Sequence, residues 1–304
     1  MSAGCVLDGE RAVTSRRVAE RAAQLRAARV PFVHATVVRA QVPTSAHPGD
    51  DAVVLADGTI EGFVGGDCAR SSTRTAALDV LRTGRATLLR VLPPGQPDFP
   101  DAPGAEVVVN PCLSGGALEI FLEPVVPPPV VAVVGDTPVA DAVVGLAEFL
   151  GYAAVRAPDG TAWDDVSALV VAGHGEREPE ALRAALAAGV GYVALVASKR
   201  RGAAVLEGLG LTAADRGRIR TPAGLAIGAR TAEEVALSIM AEVVAALRSG
   251  QARGPQAPQR PPTAVDPMCG MTVAVVADTP RSTVGGQLHW FCGAGCRDAF
   301  AARA

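Results

Sequence analysis

Apolar and polar residues alternate along most of the first 125 positions with the short repeat of β-strands, and twice the repeat lengthens to that of a helix. Residues 14–29 put Val18, Ala22 and Leu25 on one helical face and stop before Pro31. Residues 32–40, 52–56, 59–64, 86–92, 106–109 and 117–122 read as strands, with Asp57-Gly58 as the hairpin turn between the second and third. Residues 69–81 read as a helix closed by Gly84. The loop at 41–50 holds His47, read as a solvated histidine. A second loop at 93–104, with five prolines, reads as a lid or as disorder.

Four prolines between 124 and 129 predict a stiff linker. After it, strands at 130–134, 152–156, 168–172 and 192–197 alternate with helices at 139–150, 179–188 and 199–209, the pattern of a doubly wound parallel sheet. A capping box at Thr231-Ala232-Glu233-Glu234 opens a closing helix with Val235, Ile239, Val243 and Leu247 on one face, a stripe for core or dimer packing. Residues 249–264, rich in Pro, Gln, Arg and Gly, read as a flexible linker before a short tail. The expected organisation is α/β in four pieces. A mixed, cysteine-bearing α/β domain spans 1–124 and a Rossmann-like domain 125–248. The linker at 249–264 leads to a small metal-binding module at 265–304.

Composition narrows the function classes. The 304 residues are 49% apolar with a net charge of −3, which leaves no electrostatic footprint for nucleic acid or an anionic membrane surface. No apolar run reaches the roughly 18 residues of a membrane span and the first residues lack a signal-peptide pattern, so a cytoplasmic location is expected. Six cysteines in a reducing compartment point to metal binding or thiol chemistry before disulfides.

Three constellations carry candidate chemistry. In the first domain two strand-to-loop junctions each join a cysteine to a glycine pair, Gly65-Gly66-Asp67-Cys68 and Cys112-Leu113-Ser114-Gly115-Gly116. Cys68 would stand near a helix N-terminus, where unpaired N–H groups favour a thiolate, although a small buried cysteine at a turn is the alternative. Two such junctions suggest thiols and backbone N–H groups converging on one ligand. In the second domain Gly135 is the one survivor of a G-x-G-x-x-G fingerprint, with Thr137 and Ala140 at the other glycine positions; NAD(P) binding is therefore doubtful. His174 follows the third strand as a ligand or a turn cap, and Ser198-Lys199-Arg200-Arg201 opens a helix as a phosphate site or a solvated charged face. In the tail, Cys269, Cys292 and Cys296 follow the pattern C-x22-C-x3-C in a segment too small for much core, which argues for a metal staple, zinc or copper.

These residues carry two resemblances. The segments Ala35-Thr36-Val37-Val38-Arg39, Gly65-Gly66-Asp67-Cys68, Cys112-Leu113-Ser114-Gly115-Gly116 and Glu119-Ile120-Phe121-Leu122-Glu123-Pro124, with residues 193–201 and 222–242, resemble the XdhC/CoxI family. Asp67 before Cys68, Leu113 after Cys112 and Ala226 in place of a usual aspartate depart from its common pattern. The resemblance implies an accessory protein, not a turnover enzyme, that binds the molybdenum cofactor, prepares it by sulfuration, and inserts it into a molybdenum hydroxylase such as xanthine or carbon monoxide dehydrogenase. It makes Cys68 and Cys112 candidates for holding the molybdenum centre or handling sulfur. Gly65, Gly66, Ser114, Gly115 and Gly116 become candidates for the pterin phosphate, together with Gly135, His174, Ser198, Lys199 and Arg200. A homodimer, a hydroxylase client and a cysteine desulfurase as sulfur donor follow as expected partners. Asp266-Pro267-Met268-Cys269-Gly270-Met271 and residues 289–296 resemble a YHS domain, a small module associated with metal binding. The alternatives are an NAD(P)-dependent oxidoreductase and a copper or zinc chaperone or sensor.

Overall fold

The structure, a computed structural model, describes residues 3–95, 103–110, 116–157, 163–173, 177–252 and 261–303, with side chains from residue 14 onward. Its contacts divide the chain into two compact units, residues 1–127 with 257–304, and residues 128–256. The tail thus belongs to the same unit as the amino-terminal domain.

The first unit opens with α1 (Ala3–Ala27), β1 (Phe32–Gln41), β2 (Asp51–Leu55), β3 (Ile60–Gly62) and α2 (Asp67–Thr83), followed by β4 (Thr87–Leu92), β5 (Glu106–Val109) and β6 (Ala117–Val125). Among the described residues six strands form one sheet in the order β3-β2-β1-β6-β4-β5, antiparallel except for the parallel β4–β5 pair. Alternation along the strands sorts side chains to two faces. Val33, Ala35, Val37, Val54, Ile120 and Leu122 meet Ala76, Ala77, Val80 and Leu81 of α2, while Phe32 and Val53 on the other face meet Val18, Ala22 and Leu25 of α1. Glu119, opposite Arg90 in the β4–β6 register, pairs with it at 2.9 Å, both nearly buried. A buried charge of this kind is tolerable only when paired.

Two boundaries differ from the sequence reading. α1 extends back to Ala3. Pro124 lies within β6, opposite Val33 of β1. A proline is tolerated there because the ladder to β4 ends at Leu122, so the missing N–H has no partner to leave unpaired. The 93–104 loop falls largely outside the described residues.

The second unit contains β7 (Val130–Val134), α3 (Pro138–Phe149), β8 (Ala153–Arg156), β9 (Val166–Val171), α4 (Arg177–Ala187), β10 (Tyr192–Leu195), α5 (Lys199–Gly208), α6 (Ala213–Arg218), β11 (Ile219–Arg220) and α7 (Ala232–Arg248). Its five strands are parallel in the order β11-β10-β9-β7-β8. α4 and α5 cover one face and α3 and α7 the other, as in a doubly wound fold. The short α6 and β11 were absent from the sequence reading.

The tail adds β12 (Thr263–Val265), β13 (Thr272–Ala274), β14 (Arg281–Val284), β15 (Gln287–Trp290) and α8 (Ala294–Ala301), two hairpin ribbons and one helix around Met271, Val273, Phe291 and Cys292. It sits on α2. Arg74, buried in that helix, donates to the Gly58 carbonyl of the β2–β3 turn at 2.8 Å and to Asp278 of the tail at 2.7 Å. Val276 packs over Gly58 so closely that a Cβ there would meet it at 2.9 Å. Replacing Arg74 with Met removes both bonds, so urea denaturation should show a loss of about 1–3 kcal/mol and tail amides should exchange faster. Unchanged exchange in the tail would contradict this seat.

Candidate functional site

The junction between β3 and α2 sets the position of Cys68. Gly65 has φ +119°, and a Cβ on it would press on Ala69 and Leu118 at 3.0 and 3.2 Å. The chain turns there, Gly66 caps α2, and Cys68 becomes its second residue, beside the unpaired N–H groups of the first turn. The second junction supplies Gly116, where a Cβ would stand 2.2 Å from the Pro43 carbonyl oxygen. Asn110, nearly buried, closes the same side with its N–H on Leu92.

Between the junctions lies a cavity of about 720 Å³. Gly66, Asp67, Cys68, Asn110 and Gly116 line it from the amino-terminal domain, and Cys269, Cys292, Gly293, Cys296 and Arg303 line it from the tail. Its volume is that of a cofactor-sized pocket. Cys112, Ser114 and Gly115 lie outside the described residues.

The tail cysteines form a cluster at the edge of this cavity. Cys292 Sγ is 3.7 Å from Cys269 Sγ and 3.7 Å from Cys296 Sγ, and 3.8 Å from Cys68 Sγ. Asp266, fully buried, accepts from the Met268 N–H through Oδ1 and from the Cys292 N–H through Oδ2, each at 2.8 Å. Its ligand atom lies within 4.8 Å of those of Cys269, Cys292 and Cys296. His289, three residues before Cys292, packs on Phe300 with ring centroids 4.9 Å apart.

Burial and the neighbouring thiols set the protonation of the cluster. Burial pushes the Cys269 thiol up and the Cys296 thiol up to about 12. Cys292 is driven up first by its hydrogen bond to Cys68 and then by burial. Burial pushes Asp266 up, but the N–H groups of Cys292 and Met268, together with hydrogen bonds from the Cys292 and Cys269 thiols, hold the carboxyl below its usual value. Thiols placed this close do not all ionise unless a cation neutralises them.

In the second unit the carboxyl ends of β7, β9 and β10 open on a smaller cavity of about 370 Å³ lined by Thr137, Pro138, Gly173, Val196 and residues 230–232. It lies beside the β7/β9 pair, the switch point of this strand order. Gly135, at φ +120°, is fixed by packing: a Cβ would stand 2.2 Å from the Ala172 carbonyl oxygen. Thr137 caps α3, accepting from the Ala140 N–H and donating to the Ala172 carbonyl at 2.7 Å. The end of β8, where a dinucleotide site keeps an acid for the ribose, holds Arg156, which donates to the Gly135 carbonyl at 2.6 Å and pairs with Asp141. Ser198 caps α5, Lys199 and Arg200 are exposed in its first turn, and Arg201 pairs with Glu178 at 2.5 Å. His174 lies outside the described residues.

Sequence reasoning missed Asp266, Asn110 and the meeting of Cys68 with the tail. The signal for the first was present, since an aspartate two residues before a backbone N–H in Asp266-Pro267-Met268 is a standard Asx turn. The glycines provide a contrast to test. Gly116→Ala should destabilise the first unit by about 1–3 kcal/mol or more through overpacking, whereas Gly66→Ala, with open space around it, should cost about 1 kcal/mol or less. Equal thermal shifts for the two variants would contradict the described cavity wall.

Among the described residues no helix is long and apolar enough to cross a membrane. Residues 25–91 match the model of the XdhC and CoxI family, and residues 131–243 match that of the XdhC Rossmann domain. A crystal structure of a xanthine dehydrogenase from Bacillus halodurans is similar at 15% identity and a TM-score of 0.36, covering 76% of this chain and 95% of that one. No match was found among curated proteins. With two models of this family matched in order, over residues 25–91 of the first unit and most of the second, the chain belongs to the XdhC and CoxI family, whose members serve xanthine and carbon monoxide dehydrogenases as accessory proteins.

Proposed function

We propose that the protein binds the molybdenum cofactor in the Cys68 cavity, holds it for sulfuration, and hands it to a molybdenum hydroxylase. The observation that carries this reading is a half-buried thiol at a helix N-terminus facing a cofactor-sized cavity bounded by both glycine-bearing junctions. The residues fit such a group. Cys68 offers a soft ligand or a sulfur-accepting nucleophile. Gly66, with nothing within 4 Å of where its Cβ would be, leaves room for close backbone approach, and Arg303 adds positive charge for a phosphate. When bound, the cofactor supplies the molybdenum centre that accepts a terminal sulfur and later performs hydroxylation in the client. Cys112, two residues from the described end of the second junction at Asn110, belongs to the same proposal, with a cysteine desulfurase as the source of sulfur. His174, Ser198, Lys199 and Arg200 remain candidates for a phosphate-bearing ligand of the second unit.

The tail, by the same proposal, binds a soft cation, zinc or copper, through Cys269, Cys292 and Cys296. Sulfur distances of 3.7 Å from Cys292 to Cys269 and to Cys296 support this, with all three ligand atoms within 4.8 Å of one another, as does a segment with little apolar core of its own. A nicotinamide cofactor in the second unit is disfavoured by the side-chain and backbone bonds that already engage Thr137 and Arg156 at the switch point.

The full chain purified from a molybdenum-cofactor-producing host should release a fluorescent pterin oxidation product, and Cys68→Ala should reduce both that yield and activation of a client hydroxylase several-fold. Undiminished pterin yield and activation in Cys68→Ala would remove this site from the account.

A further inference from the structure

The pattern C-x22-C-x3-C offers three ligands, and the fourth position of the cluster decides what the tail does. Two side chains compete for it. Asp266 is near, with its ligand atom within 4.8 Å of those of the three tail cysteines, and each of its oxygens accepts one backbone N–H group, from Met268 and from Cys292. A buried carboxylate engaged in this way ties the loop bearing Cys269 to the residue before α8 and orients Cys292, so it acts as a positioning residue. Cys68 brings a fourth sulfur from a different part of the chain.

At Cys292 the spacing suits a fourth sulfur. Four thiolates held about 2.3 Å from a zinc ion form a tetrahedron with edges of about 3.8 Å. The three edges that meet at Cys292 measure 3.7, 3.7 and 3.8 Å, to Cys269, Cys296 and Cys68. A disulfide needs sulfurs about 2 Å apart, so Cys68 and Cys292 stand at ligand spacing and not at bonding distance. Elements outside the cluster bring the two parts together independently of any ion. Arg74 reaches Asp278, Val276 covers Gly58, and Gly293 lies against Asp67, where a Cβ would stand 2.8 Å from the aspartate Cβ.

We propose that Cys68 is the fourth thiolate of a zinc site shared between the amino-terminal domain and the tail, and that the bound ion clasps the tail over the cofactor cavity. The inference rests on the readings of the tail as a metal site and of the cavity as a cofactor site. It makes the two occupancies exclusive at one atom. With zinc bound, all four thiolates are engaged and Cys68 Sγ is withdrawn from any ligand in the cavity. With zinc removed, Cys68 is released to the cavity and the tail is held only by its packing on α2. The tail metal thereby gates loading of the cavity.

The test uses the full chain, reduced, reconstituted with zinc without oxygen, and studied by native mass spectrometry, zinc K-edge X-ray absorption and timed alkylation. One zinc per chain with four sulfur neighbours near 2.3 Å is expected, and zinc should slow alkylation of Cys68 together with Cys269, Cys292 and Cys296. In Cys68→Ser the shell should become three sulfurs and one lighter atom, and zinc affinity should fall by about tenfold or more. Should that variant not fold, the wild-type shell and the protection of Cys68 decide alone. A wild-type shell of three sulfurs and one oxygen, or Cys68 alkylated equally fast with and without zinc, overturns the clasp while leaving the tail a metal site. A chain that binds no zinc overturns both.

Discussion

The contact on which the site depends is the seat of the tail against the amino-terminal end of α2. Arg74, buried and bonded both to the Gly58 carbonyl and to Asp278, fixes one side of that seat. Gly293 fixes the other, because only a residue without a side chain can lie so close to Asp67. Together they set the start of α8 beside the start of α2, and a thiol near the beginning of each helix meets its counterpart. Neither contact is a large stabilising term alone. Their effect is positional, and position is what places a sulfur of one domain among the sulfurs of another.

From that seat follows the double character of the cavity. Its floor is built by the sheet, through Leu118, Val91 and the closely packed Gly116, and its roof by the tail. A half-buried cysteine at the join can serve a ligand inside or a cation at the rim. The thiols of the cluster are held protonated by burial and by one another, so a cation that displaces their protons would bring together charges that otherwise repel. Under the proposed clasp, occupancy of the cluster by a metal would act as a signal to the cavity beside it.

Much of this was legible in the sequence, and what was not has a common cause. The strands and α2 could be read because their signals are local: alternation, the Asp57-Gly58 turn, Gly84 in the left-handed conformation at the end of α2. The parallel order of the second unit followed from alternation of strand and helix. Pro124 misled because its place in β6 depends on where the neighbouring strand stops, and α6 was missed because a six-residue polar helix has no apolar stripe to announce it. The three tail ligand candidates were visible as spacing. Cys68 was visible as a site, yet its neighbour Cys292 lies 224 positions away, and the residues that join them, Arg74, Gly58 and Gly293, look like ordinary helix, turn and loop residues until the chain is folded. Gly135 shows the converse, a residue with the look of a cofactor glycine that close packing on Ala172 suffices to explain.

The proximity of Cys68 to the tail can be measured without any metal or cofactor. The reduced, metal-free full chain would be treated with a short bifunctional thiol reagent spanning a few ångströms, digested, and mapped by mass spectrometry. Cys68 joined to Cys292 or Cys296 is the predicted product. Cys68 joined only to Cys112, with the tail cysteines modified separately, would contradict the account.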